Sequence, residues 1–348
     1  MEPLSSHQGA VRAGLVGYGM AGREIHAPLL RKAGLEVPLV ATANPARRQQ
    51  LAEELPEAEA VDSAEDLLAR ADEIDVVVLA SPSGVHVEQA MAAVDQGLPV
   101  VVDKPLATDA AGARRVVDHA ERAGVPLTVF QNRRWDAEQL TLRALLQEGR
   151  LGEVMRFERR WERWRPVPKD RWRENASAAE GGGMLLDLQS HLVDSAVQLF
   201  GPVRHVYAEV AARTTRAEDD TFLSMEHESG VRSHLGAHSL VGAPGPRTRV
   251  LGRSGAYVVT TFEQEISAFP GLADDEGFCG WLVTGESRTP VPSAPGEHAD
   301  FYRAVARAVR GEGSMPVNPR DAVHVLAVID AARRSAAERT VVEVRSAG

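Results

Sequence analysis

The fold of this chain is decided by the stretch AGLVGYGMAG, residues 13–22. A short apolar run leads into a turn whose glycines at positions 17, 19 and 22 have the spacing G-x-G-x-x-G, and an apolar-periodic segment follows. This order of strand, tight turn and helix is typical of a site for the phosphates of a dinucleotide. The alternative is an ordinary strand-to-helix turn, since a chain with 30 glycines produces such spacings by chance.

Short apolar runs recur through the first third of the chain, with helical patterns between them. We interpret the runs as parallel strands, because strands covered on both faces read as continuous apolar segments. The predicted strands cover residues 13–16, 37–41, 74–80, 98–102 and 126–130. The predicted helices cover residues 20–33, 45–54, 63–71, 85–96 and 108–123, with Ser63 and Thr108 as N-caps. Strand alternating with helix predicts a doubly wound Rossmann sheet.

The pattern changes after about residue 140 to strands in which polar and apolar residues alternate. Two strand pairs are joined by the turns Glu228–Gly230 and Arg253–Gly255, and such hairpin signals predict a mostly antiparallel sheet. The predicted strands cover residues 154–161, 203–211, 221–226, 231–238, 247–251 and 256–260. One long helix over residues 183–200 interrupts them. Two helices close the chain, the last with Asn318 as N-cap and Pro319 at its first position.

The chain is therefore predicted to be an α/β protein of two domains, which suits its length of 348 residues. A Rossmann domain with a doubly wound parallel sheet is expected over residues 10–131. A substrate-binding and dimerisation α/β domain with a large, mostly antiparallel sheet is expected over residues 132–317. The C-terminal helix and strand, residues 318–348, are expected to pack back near the Rossmann domain.

Composition, net charge and the cysteine count argue against several classes of partner and site. With 44% hydrophobic and 25% charged residues, the chain resembles soluble globular proteins. A net charge of −10 argues against nucleic acid or an anionic membrane as partner. Residues 1–9 lack a signal-peptide pattern and the apolar runs are short, so we expect a cytoplasmic protein. Cys279 is the only cysteine, which excludes an internal disulfide, a Cys-rich zinc site and an iron–sulfur cluster.

The segment GGGMLLDLQSHLVD, residues 181–194, holds a candidate catalytic pair. Asp187 and His191 are four residues apart, so they share one face of a helix. A capping or surface pair without catalytic function has the same spacing. The pair could supply two metal ligands, but no third His or Glu lies nearby in sequence, and we expect no metal.

These segments resemble the Gfo/Idh/MocA oxidoreductase family, which includes glucose-fructose oxidoreductase and inositol dehydrogenases. The resemblance covers nearly the whole chain. It runs through GYGMAGREIHAPLL (17–30), SPSGVH (81–86), DKPLA (103–107), FQNRRWD (130–136), LGEV (151–154), GGGMLLDLQSHLVD (181–194) and NPRDAVHVLAVIDAA (318–332). The stretches FQNRRWD and KDRWRE (169–174) look most like the branch that contains NADP-dependent scyllo-inositol dehydrogenases.

The resemblance implies that Lys104, Asp187 and His191 surround the reacting carbon beside the nicotinamide. Lys104 matches the lysine of the family's Glu-Lys-Pro motif, in which this chain has Asp103 instead of glutamate. Oxidising a secondary alcohol needs a base and a cation, for which we predict His191 and Lys104 respectively. Asp187 is expected to hold the substrate hydroxyl or to orient the pair. The alternative for Lys104 is a solvated loop lysine.

The second predicted strand ends in Ala41-Thr42-Ala43-Asn44, without the Asp or Glu that an NAD site usually places there for the ribose hydroxyls. Arg47 and Arg48 follow and can pair with a 2′-phosphate. We therefore expect NADP(H), with NAD as the alternative if both arginines only begin a solvated helix.

Further candidate contacts follow from position and resemblance. For the cofactor they are Gly17, Gly19, Met20, Ala21, Gly22, Thr42, Asn44, Arg47, Arg48, Ser81, Pro82, His86, Asp103, Lys104 and Asn132. For the substrate they are Arg134, Arg163, Arg165, Trp172, Asp187 and His191. His86 could equally be a helix-face histidine. The basic and aromatic segment 161–173 is predicted to be a substrate lid or a cofactor-phosphate contact, or else a dimer or domain contact.

The leading interpretation is an NADP-dependent dehydrogenase of polyols or sugars that works in a cleft between two domains, as a homodimer or homotetramer. A reductase of another carbonyl compound and a nonredox glycosidase that retains NAD are rivals. A cofactor-binding sensor without turnover is a third. The set of Lys104, Asp187 and His191 argues against the sensor, which has no need of an acid–base pair beside nicotinamide.

Overall fold

The computed structural model describes residues 9–168, 172–261, 272 and 276–345. They form two compact units, the first from the described part of Met1–Asn132 with Glu297–Val323, the second from Arg133–Gly296 with the described part of His324–Gly348. Residues 297–317, which the sequence assigned to the second domain, cluster with the first unit. That the predicted domains fold independently of each other stays a prediction.

The secondary structure follows the sequence-based expectation over most of the described residues. The strands are β1 (Arg12–Val16), β2 (Glu36–Ala41), β3 (Glu59–Val61), β4 (Val76–Leu79), β5 (Val100–Asp103), β6 (Leu127–Phe130), β7 (Val154–Glu162), β8 (Val203–Ala211), β9 (Asp220–His227), β10 (Arg232–His238), β11 (Thr248–Gly252), β12 (Gly255–Val259), β13 (Phe278–Thr284), β14 (Ser287–Pro292) and β15 (Val342–Glu343). The α-helices are α1 (Ala27–Lys32), α2 (Pro45–Glu54), α3 (Ala64–Leu68), α4 (His86–Asp95), α5 (Ala110–Ala123), α6 (Ala137–Gln147), α7 (Trp172–Asn175), α8 (Ser190–Phe200), α9 (Ala299–Val309) and α10 (Pro319–Glu338).

The first unit contains a six-stranded parallel sheet in the order β3-β2-β1-β4-β5-β6. The order of the strands reverses between β1 and β4, and ligands of doubly wound sheets bind outside the carboxyl ends of the strands at such a point. The predicted Rossmann sheet is confirmed. The sequence missed β3, a strand of three residues of which none is buried, because it contains no apolar run.

Two N-caps were predicted for the helices that connect the strands of this sheet, and one of them is wrong. Ser63 caps α3, since its side chain accepts a hydrogen bond from the backbone N–H of Asp66. Helix α5 is capped by Asp109, whose carboxylate accepts from the N–H of Gly112 at 2.7 Å, and not by Thr108. The helix therefore begins two residues later than the apolar pattern indicated, at the residue with the better-placed acceptor.

Two helices that were predicted as continuous α-helix begin with a π-helical turn. The turn Gly22–His26 precedes α1, and the turn Leu185–Gln189 precedes α8. Such turns are rare and frequently lie at functional sites. Both occur within the glycine-rich and Asp-His segments that the sequence singled out.

The second unit contains a nine-stranded sheet in the order β14-β13-β12-β11-β7-β10-β9-β8-β15. Strands β7 and β10 pair in parallel and all other neighbours are antiparallel, which confirms the mostly antiparallel prediction. Both predicted hairpins form, between β9 and β10 and between β11 and β12.

Two strands of this sheet, β13 and β14, were missed. Strand β14 contains two prolines and lies at one edge of the sheet. Proline is tolerated there because the outer side of an edge strand has no neighbouring strand that needs its N–H groups. Strand β15 is the strand expected after the last helix; it has two residues and pairs with β8 at the opposite edge of this sheet, so it belongs to the second unit. Strand β13 contains Gly280, which interrupts the pattern expected for a strand.

The burial patterns of the two sheets explain why they read differently in sequence. All four residues of β4 are buried, as expected for a strand covered on both faces. Strand β9 alternates strictly between buried and half-buried residues, so one face of its sheet packs against the core. Within the described residues, no helix has both the length and the apolar character that a membrane span requires.

Candidate functional site

The glycine turn after β1 requires glycine at two positions for packing. Gly17 has a φ of +98°, and a Cβ there would lie 2.8 Å from the carbonyl oxygen of Ala80. At Gly22 a Cβ would lie 1.9 Å from the carbonyl oxygen of Gly17. A Cβ at Gly19 would have the guanidinium of Arg47 as its nearest neighbour, at 3.7 Å or more. The turn is therefore tight at its ends, and its middle glycine is bordered by a cation.

The two arginines predicted to recognise a 2′-phosphate have different environments. The guanidinium of Arg48 donates to the carbonyl oxygen of Thr42 at 2.9 Å and to the carboxylate of Asp62 at 2.6 Å. Arg47 is exposed, and its backbone N–H donates at 3.1 Å to the side chain of Asn44, the N-cap of α2. Arg48 thus ties the loop after β2 together, whereas the Arg47 guanidinium lies beside the glycine turn.

His86 links the loops that follow β4 and β5. It is buried, and its two ring nitrogens lie 2.9 Å from the carbonyl oxygens of Pro105 and Ser81. Burial lowers the pKa of His86, and the nearby carbonyl groups and Asp103 offset only part of that effect. The ring is therefore built into the framework of the first unit rather than exposed at its surface.

The other predicted cofactor contacts of the first unit differ in exposure. Met20 and Pro82 are exposed, and Ala21 is half-buried in the helical segment after the glycines. The hydroxyl of Ser81 donates to Gln89 at 2.6 Å. Asn132 is half-buried and begins a short 3-10 turn. These residues are placed in the first unit, and their contact with a cofactor stays a prediction.

Lys104 follows β5 directly and is half-buried. Its backbone N–H donates to the carboxylate of Asp103 at 2.8 Å. The same carboxylate oxygen lies 3.5 Å from Nε2 of His26, whose Nδ1 is 2.5 Å from the hydroxyl of Tyr302. Burial raises the pKa of Asp103, but His26 and Lys104 outweigh it, so that the pKa is lowered and the group is a carboxylate. Neither His26 nor Tyr302 was expected from sequence.

In the second unit, the turn that carries Asp187 is held by Glu218. The backbone N–H of Met184 donates to the Glu218 carbonyl at 3.0 Å, and that of Leu185 to its carboxylate at 3.3 Å. Gly183 has a φ of +89°, and a Cβ there would lie 2.1 Å from the same carboxylate. The glycine run before the Asp-His pair therefore permits Glu218 to satisfy the first N–H groups of the helical segment.

Asp187 lines a cleft within the second unit. The predicted substrate residues Arg163 and Arg165 line the same cleft. Its other lining residues, most of which sequence reasoning missed, are Pro168, Glu174, Gly183, Met184, Leu188, Thr214, Thr215, Glu218, Asp219 and Ser239. The wall carries hydroxyls, guanidiniums and carboxylates together with the apolar side chains of Pro168, Met184 and Leu188.

His191 lies four residues beyond Asp187, is buried, and packs against Trp161 with their ring centroids 5.9 Å apart. It is not among the described residues that line the cleft. The guanidiniums of Arg133, Arg163 and Arg247 each lie 5.0 Å from the centroid of Trp161. Trp161 therefore contacts the His191 imidazole by ring packing and the three arginine guanidiniums by cation–π interactions.

Arg134, predicted to bind substrate, forms a buried ion pair instead of lining the cleft. Its guanidinium donates twice to the carboxylate of Asp194, at 2.9 Å and 2.6 Å. Asp194 lies three residues after His191 on α8, so the pair anchors the helix that carries the histidine. Bidentate pairs of this kind fix geometry as well as contributing energy.

Three residues of the predicted lid lie outside the part of the chain that the structure describes. The side chain of Trp172 lies outside the described residues, as do Lys169 and Arg171 of the proposed lid. The described part of that segment includes Trp164, whose side chain is 63% exposed. No group of three or more His, Cys, Asp or Glu side chains suited to a metal ion occurs among the described residues.

Comparison with known proteins agrees with this architecture. Residues 11–131 match the family model of an oxidoreductase family with an NAD-binding Rossmann fold, and residues 139–258 match the GFO/IDH/MocA C-terminal domain. The chain is 30% identical to scyllo-inositol 2-dehydrogenase (NADP(+)) IolW of Bacillus subtilis, over 95% of both chains. It is 34% identical to the uncharacterized oxidoreductase YdgJ of Escherichia coli, over 94% of this chain and 97% of the relative.

Among solved structures, an NAD-binding protein from Listeria innocua superposes with a TM-score of 0.81 at 25% identity. The superposition covers 96% of each chain. The two matching domains and the near-complete coverage of the relatives establish the family that the motifs predicted. The chain belongs to the Gfo/Idh/MocA family of oxidoreductases.

Proposed function

We propose that this protein is an NADP(H)-dependent dehydrogenase that interconverts a secondary hydroxyl and a ketone on a polyol or sugar, with an inositol-like substrate. The observation that carries the proposal is the cleft of the second unit, whose wall includes Asp187 together with two arginines and three hydroxyl side chains. Family membership supports the redox class, and the name of the Bacillus subtilis relative supports both the cofactor and the kind of substrate.

The lining of the cleft favours a ligand with several hydroxyls. Thr214, Thr215 and Ser239 contribute hydroxyl groups, and Arg163 and Arg165 contribute guanidiniums. The Thr214 and Thr215 hydroxyls donate to the Asp219 carboxylate at 2.6 Å and to the Ala217 carbonyl at 2.7 Å, so their oxygens are left to accept a hydrogen bond from a ligand hydroxyl. A polyol supplies several such hydroxyl donors.

The proposed chemistry divides the proton and the charge between three side chains. A free alcohol is too weak an acid to release its proton without a base, so His191 takes the hydroxyl proton. Lys104 stabilises the negative charge that develops on the oxygen, and Asp187 accepts a hydrogen bond from a second hydroxyl of the substrate. Bound nicotinamide supplies the acceptor for the hydride. In the reverse direction His191 returns the proton to the ketone oxygen.

The residues around the glycine turn fit a phosphorylated dinucleotide. Gly19 leaves the backbone accessible, and the helical segment after it presents its N-terminal N–H groups, which favour an anion. The exposed guanidinium of Arg47 is suited to a 2′-phosphate. The sequence 42–44 has no carboxylate for a ribose 2′-hydroxyl, and Asp62 is paired with Arg48. These features support NADP(H) over NAD(H).

The proposal includes a cytoplasmic homodimer or homotetramer, which the family resemblance and the composition support. Sedimentation of the purified protein measures the assembly. A sedimentation coefficient of a monomer at micromolar concentration would contradict this part of the proposal and leave the chemistry untouched.

The substrate class is tested by comparing kcat/KM for NADP⁺-linked oxidation of inositol isomers and of cyclohexanol, which has the same ring with one hydroxyl. We expect the inositols to be preferred at least about tenfold, the equivalent of one or two hydrogen bonds. The variant Asp187→Asn should lose most of this preference. Asp95→Asn is the matched control, because Asp95 is an exposed residue of the first unit whose carboxylate pairs with His119.

Equal or better oxidation of cyclohexanol would overturn the polyol assignment. Turnover with neither alcohol, together with reduction of an unrelated ketone, would favour a reductase of another carbonyl compound. A protein that binds NADPH but turns over no substrate would be a sensor.

A further inference from the structure

Behind Lys104, the first unit contains a buried polar chain to which the proposed chemistry gives no role. It runs from the hydroxyl of Tyr302 on α9 to Nδ1 of His26, at 2.5 Å, and from Nε2 of His26 to the carboxylate of Asp103, at 3.5 Å. The carboxylate also accepts the backbone N–H of Lys104 at 2.8 Å. Three elements of the fold therefore converge on the residue before the catalytic lysine.

Aromatic packing fixes the orientation of both rings in this chain. Phe130 of β6 stacks on Tyr302 with centroids 5.5 Å apart and packs against His26 at 4.6 Å. Phe301 meets Phe130 and Tyr302 edge-on, at 5.0 Å and 5.2 Å. His26, Phe301 and Tyr302 are fully buried. The imidazole cannot turn away from Asp103 without disturbing this cluster.

Electrostatics select one arrangement of protons along the chain. Burial raises the pKa of Tyr302 well above its usual value, and the nearby Asp103 adds to the effect, so the phenol keeps its proton. The tyrosine hydroxyl then donates to Nδ1 of His26, which leaves the ring proton on Nε2, where it faces the Asp103 carboxylate at 3.5 Å in an electrostatic contact longer than a hydrogen bond. The opposite tautomer would place a nitrogen lone pair against the carboxylate, which is unfavourable.

We propose that His26 is a positioning residue: held by Tyr302, it fixes the carboxylate of Asp103 and through it the backbone and side chain of Lys104. The inference rests on the proposed function, which assigns Lys104 to the substrate oxygen. His26 touches neither substrate nor cofactor in this scheme. Its effect reaches the reaction only through the placement of the lysine, and small displacements of catalytic groups reduce rates strongly.

The decisive variant is Tyr302→Phe, which removes only the hydroxyl that orients His26 and keeps the aromatic ring. The matched control is Tyr257→Phe, which removes a buried hydroxyl of the second unit that donates to the Cys279 carbonyl at 2.6 Å. We expect Tyr302→Phe to lower kcat about tenfold and His26→Leu about a hundredfold, with KM and NADPH affinity within about twofold of wild type. The control should keep wild-type kcat although it loses a comparable hydrogen bond.

A second readout does not depend on turnover. The chain has three lysines, Lys32, Lys104 and Lys169, so acetylation by acetic anhydride can be followed at each by mass spectrometry. The rate at Lys104 in Tyr302→Phe should differ from wild type by at least about threefold, because the environment of the amine changes. Lys32, which pairs with Glu297, should react at the wild-type rate and serves as the internal reference.

The outcomes separate the inference from the proposed function. An unchanged acetylation rate at Lys104 in folded Tyr302→Phe overturns the inference, whatever the turnover. If the acetylation rate of Lys104 changes in Tyr302→Phe while the wild-type protein shows no NADP-linked turnover, the positioning is supported and the proposed function is refuted. If His26→Leu fails to fold, Tyr302→Phe with its control decides alone, and equal kcat for these two variants counts against the inference.

Discussion

The different environments of the two arginines after β2 lead to a sharp prediction about cofactor choice. Arg47→Ala should weaken NADPH binding and leave NADH binding within about twofold of wild type, because only NADPH carries the 2′-phosphate. One charge-assisted contact contributes about 1.5–3 kcal/mol, and the exposure of Arg47 places the effect at the low end through solvent screening. The dissociation constant for NADPH should therefore rise about tenfold.

Arg48→Ala is the matched variant. Its guanidinium already donates to the Thr42 carbonyl and to Asp62, so the substitution removes a loop contact rather than a phosphate ligand. We expect it to weaken NADPH and NADH by similar factors. The two variants should thus differ in the ratio of their NADPH affinity to their NADH affinity, and not only in the size of each affinity.

The assay is fluorescence titration of each variant with NADPH and with NADH at two salt concentrations. The Arg47 contribution should shrink at the higher salt concentration, since exposed charges are screened. If Arg47→Ala binds both cofactors as wild type does, or if Arg48→Ala alone loses the preference for NADPH, the assignment of Arg47 to the 2′-phosphate is wrong.

Further predictions concern catalysis, stability and pH. His191→Ala and Lys104→Ala should each lower kcat by about a hundredfold or more with little change in the dissociation constant of NADPH, and normal turnover of either variant would refute its assigned role. Asp194→Ala should lower the free energy of unfolding by about 3–5 kcal/mol in chemical denaturation, because it leaves Arg134 buried without its carboxylate, and an unchanged midpoint would contradict this. Burial lowers the pKa of His227, although the hydrogen bond to the Gly201 carbonyl opposes this. The stability that His227 contributes is therefore fully present above its unfolded pKa of about 6.5 and is lost as the pH falls through the lower folded pKa. The free energy of unfolding should therefore fall between pH 7 and 5, and it should fall less steeply in His227→Gln, whereas equal slopes would refute the assignment.

Much of the fold could be read from local patterns. The apolar runs at residues 13–16 and 126–130 became β1 and β6 within a residue at each end, because a strand buried on both faces needs consecutive apolar side chains. The glycine turn was identified from spacing, and the structure explains it, since a Cβ at Gly17 or Gly22 would collide with backbone atoms. The Asp-His spacing likewise placed both residues on one helical segment.

The sequence by itself could therefore determine the two kinds of sheet, the glycine turn and the candidate pair, because these depend on neighbours within a few residues. Only the tertiary structure decided which partner Arg134 binds, that the Arg47 side chain is exposed beside the glycine turn, and which residues lie behind Lys104. Arg134 is bound by a carboxylate 60 residues away, and the chain behind Lys104 joins His26 to a tyrosine 276 residues away. No local pattern encodes such pairs, since hydrogen bonds between distant residues form only when the packing of separate elements brings a donor and an acceptor within about 3 Å.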